Sequence, residues 1–438
     1  MKKNLAIVLS MLLLMTLLAA CGNSNEGPAE NVEKNTAAEE QKEVKLQFGI
    51  WGDDARKKVF EDLLVKYKEK HPNVNVEVVL IPFAEYQQKL SIMMASKTAP
   101  DLVWLAERMI PQFVETNQLM DISSISEDAA YDYADLFESS MDIFRKDGKL
   151  YGVPFTSPPK VIFFNKSLFE AKGLKNPLEL HKEGKWTYEE MLKAAAALTD
   201  PANGVYGLNL FGANGWKGWQ DALMETIWAY GADLFSEDGT KFLLNSPEGE
   251  QVLTMLNNAI FQDKVHIKPG DQTTFESGKI AMGRYNFSYA ANARKASGFE
   301  WDIAPMPQGP VTDAPTAVGL AGYAVTESTK HPKETVELLK YLTGKEVMTE
   351  LSGTFVPNRK SVISSEDFLK AAEQPSAEAI QAALIDRIDG GVRVQPSHKN
   401  WQQIDVKVQT VMDYLYSQSG SVKDVLNKME QEVTPLLK

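Results

Sequence analysis

Val44, Leu46, Phe48 and Ile50 alternate with Lys45, Gln47 and Gly49, the two-residue period of a strand with one covered face. Val59, Phe60, Leu63, Leu64 and Tyr67 then recur at helical spacing, and His71-Pro72 closes the helix. Val74, Val76, Val78 and Leu80 alternate again with Asn73, Asn75, Glu77 and Val79, and a second helix over 84–97 leads through Thr98-Ala99-Pro100 to the short apolar strand Asp101-Leu102-Val103-Trp104-Leu105. This order commits the segment to a βαβαβ unit with right-handed crossovers, hence to the α/β class.

Further on, Asp147-Gly148 marks a turn before Leu150-Tyr151-Gly152-Val153-Pro154, and Val161 to Phe164 reads as a strand. The chain then becomes mainly helical, with helical patterns over 187–198, 221–230, 246–261 and 290–295 and a glycine-rich loop at Gly212, Gly215 and Gly218. Strand character returns at 301–303 and 319–326. An amphipathic helix over 332–342 ends at Gly344, and the tail is helical over 404–416 and 422–433. No internal repeat is visible. At 438 residues and 44% hydrophobic, the chain exceeds what one core organises, so a second lobe with more helix is expected.

Lys2 and Lys3 precede an almost unbroken apolar run from Leu5 to Ala20 with no acid, the shape of a secretory leader. Sixteen residues of helix span about 24 Å, short of a bilayer core of about 30 Å. The run stops at Leu18-Ala19-Ala20-Cys21-Gly22, which resembles the bacterial lipobox, with Cys21 as the acylated residue after cleavage. Residues 21–43 hold Val32 as their one sizeable apolar side chain before the strand and read as a flexible tether with a reach of about 25 Å. The body is expected at the outer face of the cell membrane, anchored through Cys21. No internal disulfide is available, because Cys21 is the single cysteine.

Lys and Arg number 46 against 59 Asp and Glu, a net charge of -13, the wrong sign for a nucleic-acid partner. Loss of residues 1–20 would remove two lysines and no acid, leaving -15. Phosphate-binding, dinucleotide, His-Glu-x-x-His and Gly-x-Ser-x-Gly motifs are absent from the sequence. The five histidines, His71, His181, His266, His331 and His398, are far apart and read as isolated and exposed. Acidic neighbours such as Asp53-Asp54 and Glu189-Glu190 are expected by chance among 59 acids. No cofactor is implied, and no Asp-x-Asp-x-Asp-Gly loop supports calcium.

Trp51 ends the first strand and Trp104 the third, and open α/β sheets bind ligands beyond the carboxyl ends of their strands. A flat ring there stacks against an apolar ligand face such as the C–H face of a sugar, whose hydroxyls need polar partners. Asp53, Gln87, Glu107 and Arg108 are close in sequence to those rings. Trp186, ahead of Thr187-Tyr188-Glu189-Glu190, reads as a packing residue.

Phe48-Gly49-Ile50-Trp51, Ala99-Pro100-Asp101-Leu102-Val103-Trp104, the segments 149–155 (KLYGVPF), 163–169 (FFNKSLF) and 186–191 (WTYEEM), then Gly278-Lys279-Ile280-Ala281-Met282, 301–307 (WDIAPMP) and Gly319-Leu320-Ala321-Gly322-Tyr323 follow one another in an order that resembles the extracellular solute-binding proteins of bacterial sugar ABC importers. The resemblance covers essentially the whole chain after the leader. It implies an α/β, two-lobe periplasmic-binding-protein-like fold (type II), each lobe a mixed sheet flanked by helices, with a ligand cleft between them. Three crossings are implied near Pro154, Ile303 and Gly353, giving a first lobe of 44–153 with 303–352 and a second of 154–302 with 353–438. Arg284-Tyr285-Asn286-Phe287 occupies the family's aromatic turn, with Phe287 replacing the usual Trp. Gly319 and Gly322 would admit the ligand close to the backbone, and Tyr323 is a lid or a packed ring.

The ligand-facing set expected on these grounds is Trp51, Asp53, Gln87, Trp104, Glu107, Phe155, Thr156, Trp216, Trp219, Asn286, Phe287, Gly322, Tyr323, Arg359 and Trp401. The resemblance implies a monomer without enzymatic activity that captures an extracellular carbohydrate, an oligosaccharide by expectation, and hands it to membrane permease subunits. The rival readings are a surface-anchored glycoside hydrolase, a same-fold binder of another solute and a structural adhesin.

Overall fold

The apolar alternation from Val44 builds strand β1 (Val44–Trp51), and Asp53 caps the following helix α1 (Asp54–Lys70) by accepting the Arg56 N–H at 2.9 Å. Phe60, Leu63, Leu64 and Tyr67 of α1 are buried, and the helix closes at His71, whose N–H donates to the Tyr67 carbonyl. Strand β2 (Val74–Ile81), helix α2 (Phe83–Ala95) and strand β3 (Leu102–Ala106) complete the unit expected from sequence. The computed structural model describes residues 42–370, 373–389 and 391–438. The leader, Cys21 and the tether as far as residue 41 therefore lie outside the described residues.

Two further strands, β4 (Val153–Thr156) and β5 (Lys160–Asn165), are followed by β6 (Tyr206–Asn209), β7 (Ile280–Asn286), β8 (Trp301–Pro305), β9 (Thr316–Val318), β10 (Ala321–Val325) and β11 (Val392–Val394). The first sheet has the order β2-β1-β3-β10-β4, with β1 parallel to β2 and β3 while β10 runs antiparallel to β3 and β4. A second sheet has the order β8-β5-β7-β6, and β9 pairs with β11.

Each sheet carries its own hydrophobic core, one for each lobe. Residues up to Phe155 pack in the first core and those from Val161 in the second. The chain returns to the first between Ala317 and Leu320, and its last passage falls over 355–363, where Phe355 and Val362 join the first core and Val356 and Ile363 the second. The crossing expected near Ile303 is therefore displaced to 318–319: β8 pairs antiparallel with β5, Ile303 opposite Phe163, and so stays in the second sheet.

The second sheet also contains two strands, β6 and β7, that the sequence pattern does not show. Every residue of β7 except Asn286 is buried, because β7 lies inside the sheet, so neither face alternates in polarity. Trp186 is buried with its indole N–H donating to Pro305 O at 2.9 Å, the packing role expected of it. His266 departs from expectation: it is wholly buried, Nε2 accepting the Leu210 N–H at 2.8 Å and Nδ1 lying 2.8 Å from the Ile267 carbonyl oxygen.

Candidate functional site between the lobes

The parallel pairing of β1 and β3 brings Trp51 and Trp104 together, their rings stacked at 4.4 Å and 27°. They are not equivalent. Trp104 is 1% exposed and is walled in by Phe60, Phe155 and Phe355. Trp51 is half-buried and meets Tyr86 and the 45% exposed Phe83 edge to face. Trp104 thus backs the platform that Trp51 presents.

Arg56 of α1 reaches over this cluster, its guanidinium carbon 5.0 Å from the Phe355 ring centre and 5.7 Å from that of Trp104. Burial lowers its pKa, and Asp53 opposes the shift. Arg108 lies 5.4 Å from the Phe83 ring centre and donates from Nε to Gln87 Oε1 at 3.2 Å. Glu107 is buried and accepts the Leu320 N–H at 3.0 Å, tying the end of β3 to the strand that returns from the second lobe.

The remaining first-lobe candidates are internal. Phe155 and Tyr323 stack on each other at 4.5 Å and 13° with both rings buried, so Tyr323 packs as a core ring rather than covering the cleft. Thr156 is buried, with no partner for its hydroxyl among the described residues. Gly322 is needed for packing, since a Cβ there would come within 2.6 Å of the Phe144 ring and 2.7 Å of Val153 O. A Cβ at Gly319 would lie 2.8 Å from Lys160 Nζ, so this glycine makes room for a buried ammonium. Arg359 is 2% exposed and spends its guanidinium on Thr343 O, Tyr131 O, Asp132 O and Asp135. It braces the first lobe from within.

In the second lobe, Trp219 and Trp401 are buried and stacked at 6.0 Å, and the Trp219 indole N–H donates to Asp405 Oδ1 at 2.8 Å. Burial raises the Asp405 pKa, while Trp219, Gln409 and the first-lobe cation Arg108 counteract it. Trp216 is half-buried against Phe211 at 4.3 Å and Tyr416 at 4.6 Å, anchoring its loop on the second core. Phe287 is likewise internal, 5.9 Å from Phe368.

Asn286 belongs to a charged cluster beside the crossings, where it accepts from Lys160 Nζ at 2.9 Å. Lys160 also donates to Asp221, which pairs with Arg284 at 3.0 Å. Burial disfavours the Asp221 anion, but Lys160 and Arg284 overcome it and hold the carboxyl below the usual range. Arg56, Lys160, Asp221, Arg284 and Asp405 were not among the residues expected from sequence as ligand-facing. Each is one charged residue inside an ordinary helix or strand pattern, and no local signal separates it from a surface charge. Among the described residues no group of His, Cys, Asp and Glu is arranged to hold a metal ion, and no helix is long and apolar enough to cross a membrane.

Two buried groups respond to pH in opposite senses. Burial pushes His266 down to about 4 from 6.5, against the hydrogen bond to Ile267, so its contribution is complete above 6.5 and is lost as pH falls towards 4. Burial pushes Glu225 up to about 7 from 4.5, although Arg387 at 3.5 Å and the Ala317 N–H favour its anion. Its contribution is complete below 4.5 and is lost as pH rises towards 7. The slopes oppose each other between these limits. Glu225→Gln is therefore expected to lose stability between pH 7 and pH 5, and His266→Gln to gain it, each by roughly 2 kcal/mol. Urea unfolding of both variants at the two pH values checks this; parallel pH profiles would refute it.

Residues 51–349 match the family described as bacterial extracellular solute-binding protein. The diacetylchitobiose binding protein of Streptomyces coelicolor is 25% identical over 395 residues, which is 86% of this chain and 87% of that protein. An ABC substrate-binding protein of Listeria monocytogenes, solved in complex with cycloalternan, superimposes with a TM-score of 0.79 at 22% identity, covering 90% of this chain and 99% of that one. The GacH receptor of Streptomyces glaucescens does so with a TM-score of 0.76 at 19% identity, covering 90% and 98%. These structures share the two-lobe fold of the type II binding proteins. The match over 51–349 takes in four of the five strands of the first sheet and the whole second sheet, and it makes this chain a member of the bacterial extracellular solute-binding protein family.

Proposed function

We propose that the chain captures an extracellular carbohydrate, an oligosaccharide, between its two lobes and delivers it to the permease of an ABC importer without breaking a bond. One observation carries the reading: the half-buried Trp51 ring stands on the buried Trp104 at the end of a parallel strand and meets Phe83, over which Arg108 lies while it donates to Gln87. A ring beside hydrogen-bonding groups suits a ligand with an apolar face and a polar rim. Its family consists of binding proteins, and of two similar proteins one is a diacetylchitobiose binding protein and the other was solved in complex with cycloalternan.

The first lobe in this reading is 44–156 with 319–355, the second is 160–317 with 364–438, and 356–363 is shared between them. Closure about the crossings is favoured by contacts that both walls make to one ligand and that neither makes alone. Trp51, Gln87, Arg108 and Asp405 are the groups proposed to touch the sugar, with Glu107, Trp219 and Trp401 holding them in place. The lipid anchor on Cys21 would keep the loaded monomer near its permease at the outer membrane face.

Thermal unfolding of the full chain against mono- and oligosaccharides, amino acids, polyamines and phosphate tests the proposal. A ligand at a hundred times its Kd adds about 2.7 kcal/mol, so a true sugar ligand should raise Tm by several degrees and be recovered intact. No shift with any carbohydrate, or a cleaved one, sinks the reading. An unmodified Cys21 in the mass of the mature protein removes the anchor from it.

A further inference from the structure

We propose that the bound sugar is acidic, carrying its negative charge against Arg56 and Arg108 on the first-lobe wall. This rests on the carbohydrate reading above and adds the ligand's chemical class.

The hydrogen-bonding groups around Trp51 are unevenly used. Arg56 makes no hydrogen bond through its guanidinium and no ion pair with any described residue; its contacts are the faces of Trp104 and Phe355. Arg108 uses Nε alone, on the neutral Gln87 amide, and its charge has no carboxylate within ion-pair distance among the described residues. Gln87 Nε2 and Trp104 Nε1 are buried without acceptors among the described residues. The two guanidiniums are donors on half-buried side chains, whereas those two N–H groups and the unpartnered hydroxyls of Thr156 and Tyr323 are sealed in the interior. The neighbouring carboxylates already accept: Asp53 from the Arg56 N–H, Glu107 from the Leu320 N–H and Asp405 from Trp219 and Gln409. A ligand that reaches Arg56 or Arg108 meets guanidinium N–H groups that no carboxylate of the described residues bridges, a match for an oxyanion.

The other arginines show that this is selective. Arg145, Arg284, Arg359, Arg387 and Arg393 each pair with a carboxylate, and Arg294 donates to the Gly353 and Gln374 carbonyls. Among the described residues, Arg56 and Arg108 are the two arginines whose guanidinium has neither a carboxylate within ion-pair distance nor a backbone carbonyl acceptor. Both lie over rings, and Trp51 joins those rings, 5.9 Å from Phe83 and 4.4 Å from Trp104. A guanidinium over an aromatic ring keeps N–H groups that a planar carboxylate can accept. A half-buried cation without a partner is costly, and an anionic ligand relieves that cost. The chemistry required is a sugar ring bearing an oxyanion, whether the carboxylate of a hexuronate or the charged ester of a sulfated or phosphorylated sugar.

Calorimetric titration of the full chain with oligouronates, the neutral oligosaccharides of equal length and linkage, sulfated and phosphorylated sugars, and inorganic sulfate and phosphate separates the cases. The expected result is an acidic sugar bound at least tenfold more tightly than its neutral counterpart, a preference that shrinks as salt rises. Arg56→Gln and Arg108→Gln should each bring the ratio of acidic to neutral affinity towards one, and either alone suffices if the other fails to fold. Neutral sugars bound as well as or better than acidic ones overturn the acidic class and leave the carbohydrate reading standing. Inorganic anions bound as tightly as the acidic sugars overturn it in favour of a free-anion site. Absence of binding by any sugar overturns both readings.

Discussion

Asp221→Asn is expected to destabilise the protein by about 3–5 kcal/mol, the largest single loss available outside the aromatic core. Lys160 and Arg284 are 1% and 2% exposed at their side chains, and both give a charged donor to Asp221. The asparagine keeps the shape and removes the charge, so two buried cations are left facing one another beside the crossing strands. Lys160→Met leaves the Asp221–Arg284 pair intact and removes the cation that has to be buried, so its loss should be much smaller. Urea midpoints of the two variants, measured with the slope of the transition, make the comparison. Equal losses would show that the lysine packs as an aliphatic stem and that its charge is immaterial.

Trp104→Ala and Trp51→Ala should separate where the sequence treats the two residues alike. Trp104 contributes a fully buried ring in contact with Trp51, Phe60, Phe155 and Phe355. Its loss leaves a cavity among side chains that cannot all collapse, about 3–5 kcal/mol of stability. Trp51 is half-buried at the end of its strand, so truncation should cost the fold less than half as much and fall mainly on ligand affinity, by about tenfold or more. Chemical unfolding and calorimetric titration of each variant read the two effects separately. A Trp104→Ala protein of normal stability that has lost only its ligand would reverse the roles assigned to the rings.

The legible parts of this chain share a feature. Alternation over 44–50, helical spacing over 59–67 and the tail helix at Val422–Val433, which begins with a Ser421–Asp424 capping box, are written in residues at most four apart. Where two faces of a strand are both buried, as in Ile280–Asn286, that signal vanishes even though the strand is central. The displaced crossing has the same origin. Trp301–Pro305 looks like a strand from its own residues, but whether it joins the first or the second sheet depends on Asn165 and Phe163, more than 130 positions earlier.

The site divides in the same way. Trp51 at a strand end, with Gln87 and Glu107 close to the strand ends in sequence, is marked by position alone, because the end of a parallel strand is a place in the chain as well as in the fold. Arg359 looked equally suitable and is consumed inside the first lobe by three carbonyls and Asp135. Sequence by itself determined the α/β class, the opening βαβαβ unit and the aromatic residues at its strand ends, since hydrophobic period and chain position are local quantities. The tertiary structure alone decided which tryptophan is covered, where the chain changes lobes and which arginines remain unpaired. Burial and charge compensation are sums over neighbours in space, and those neighbours are chosen only when distant segments pack.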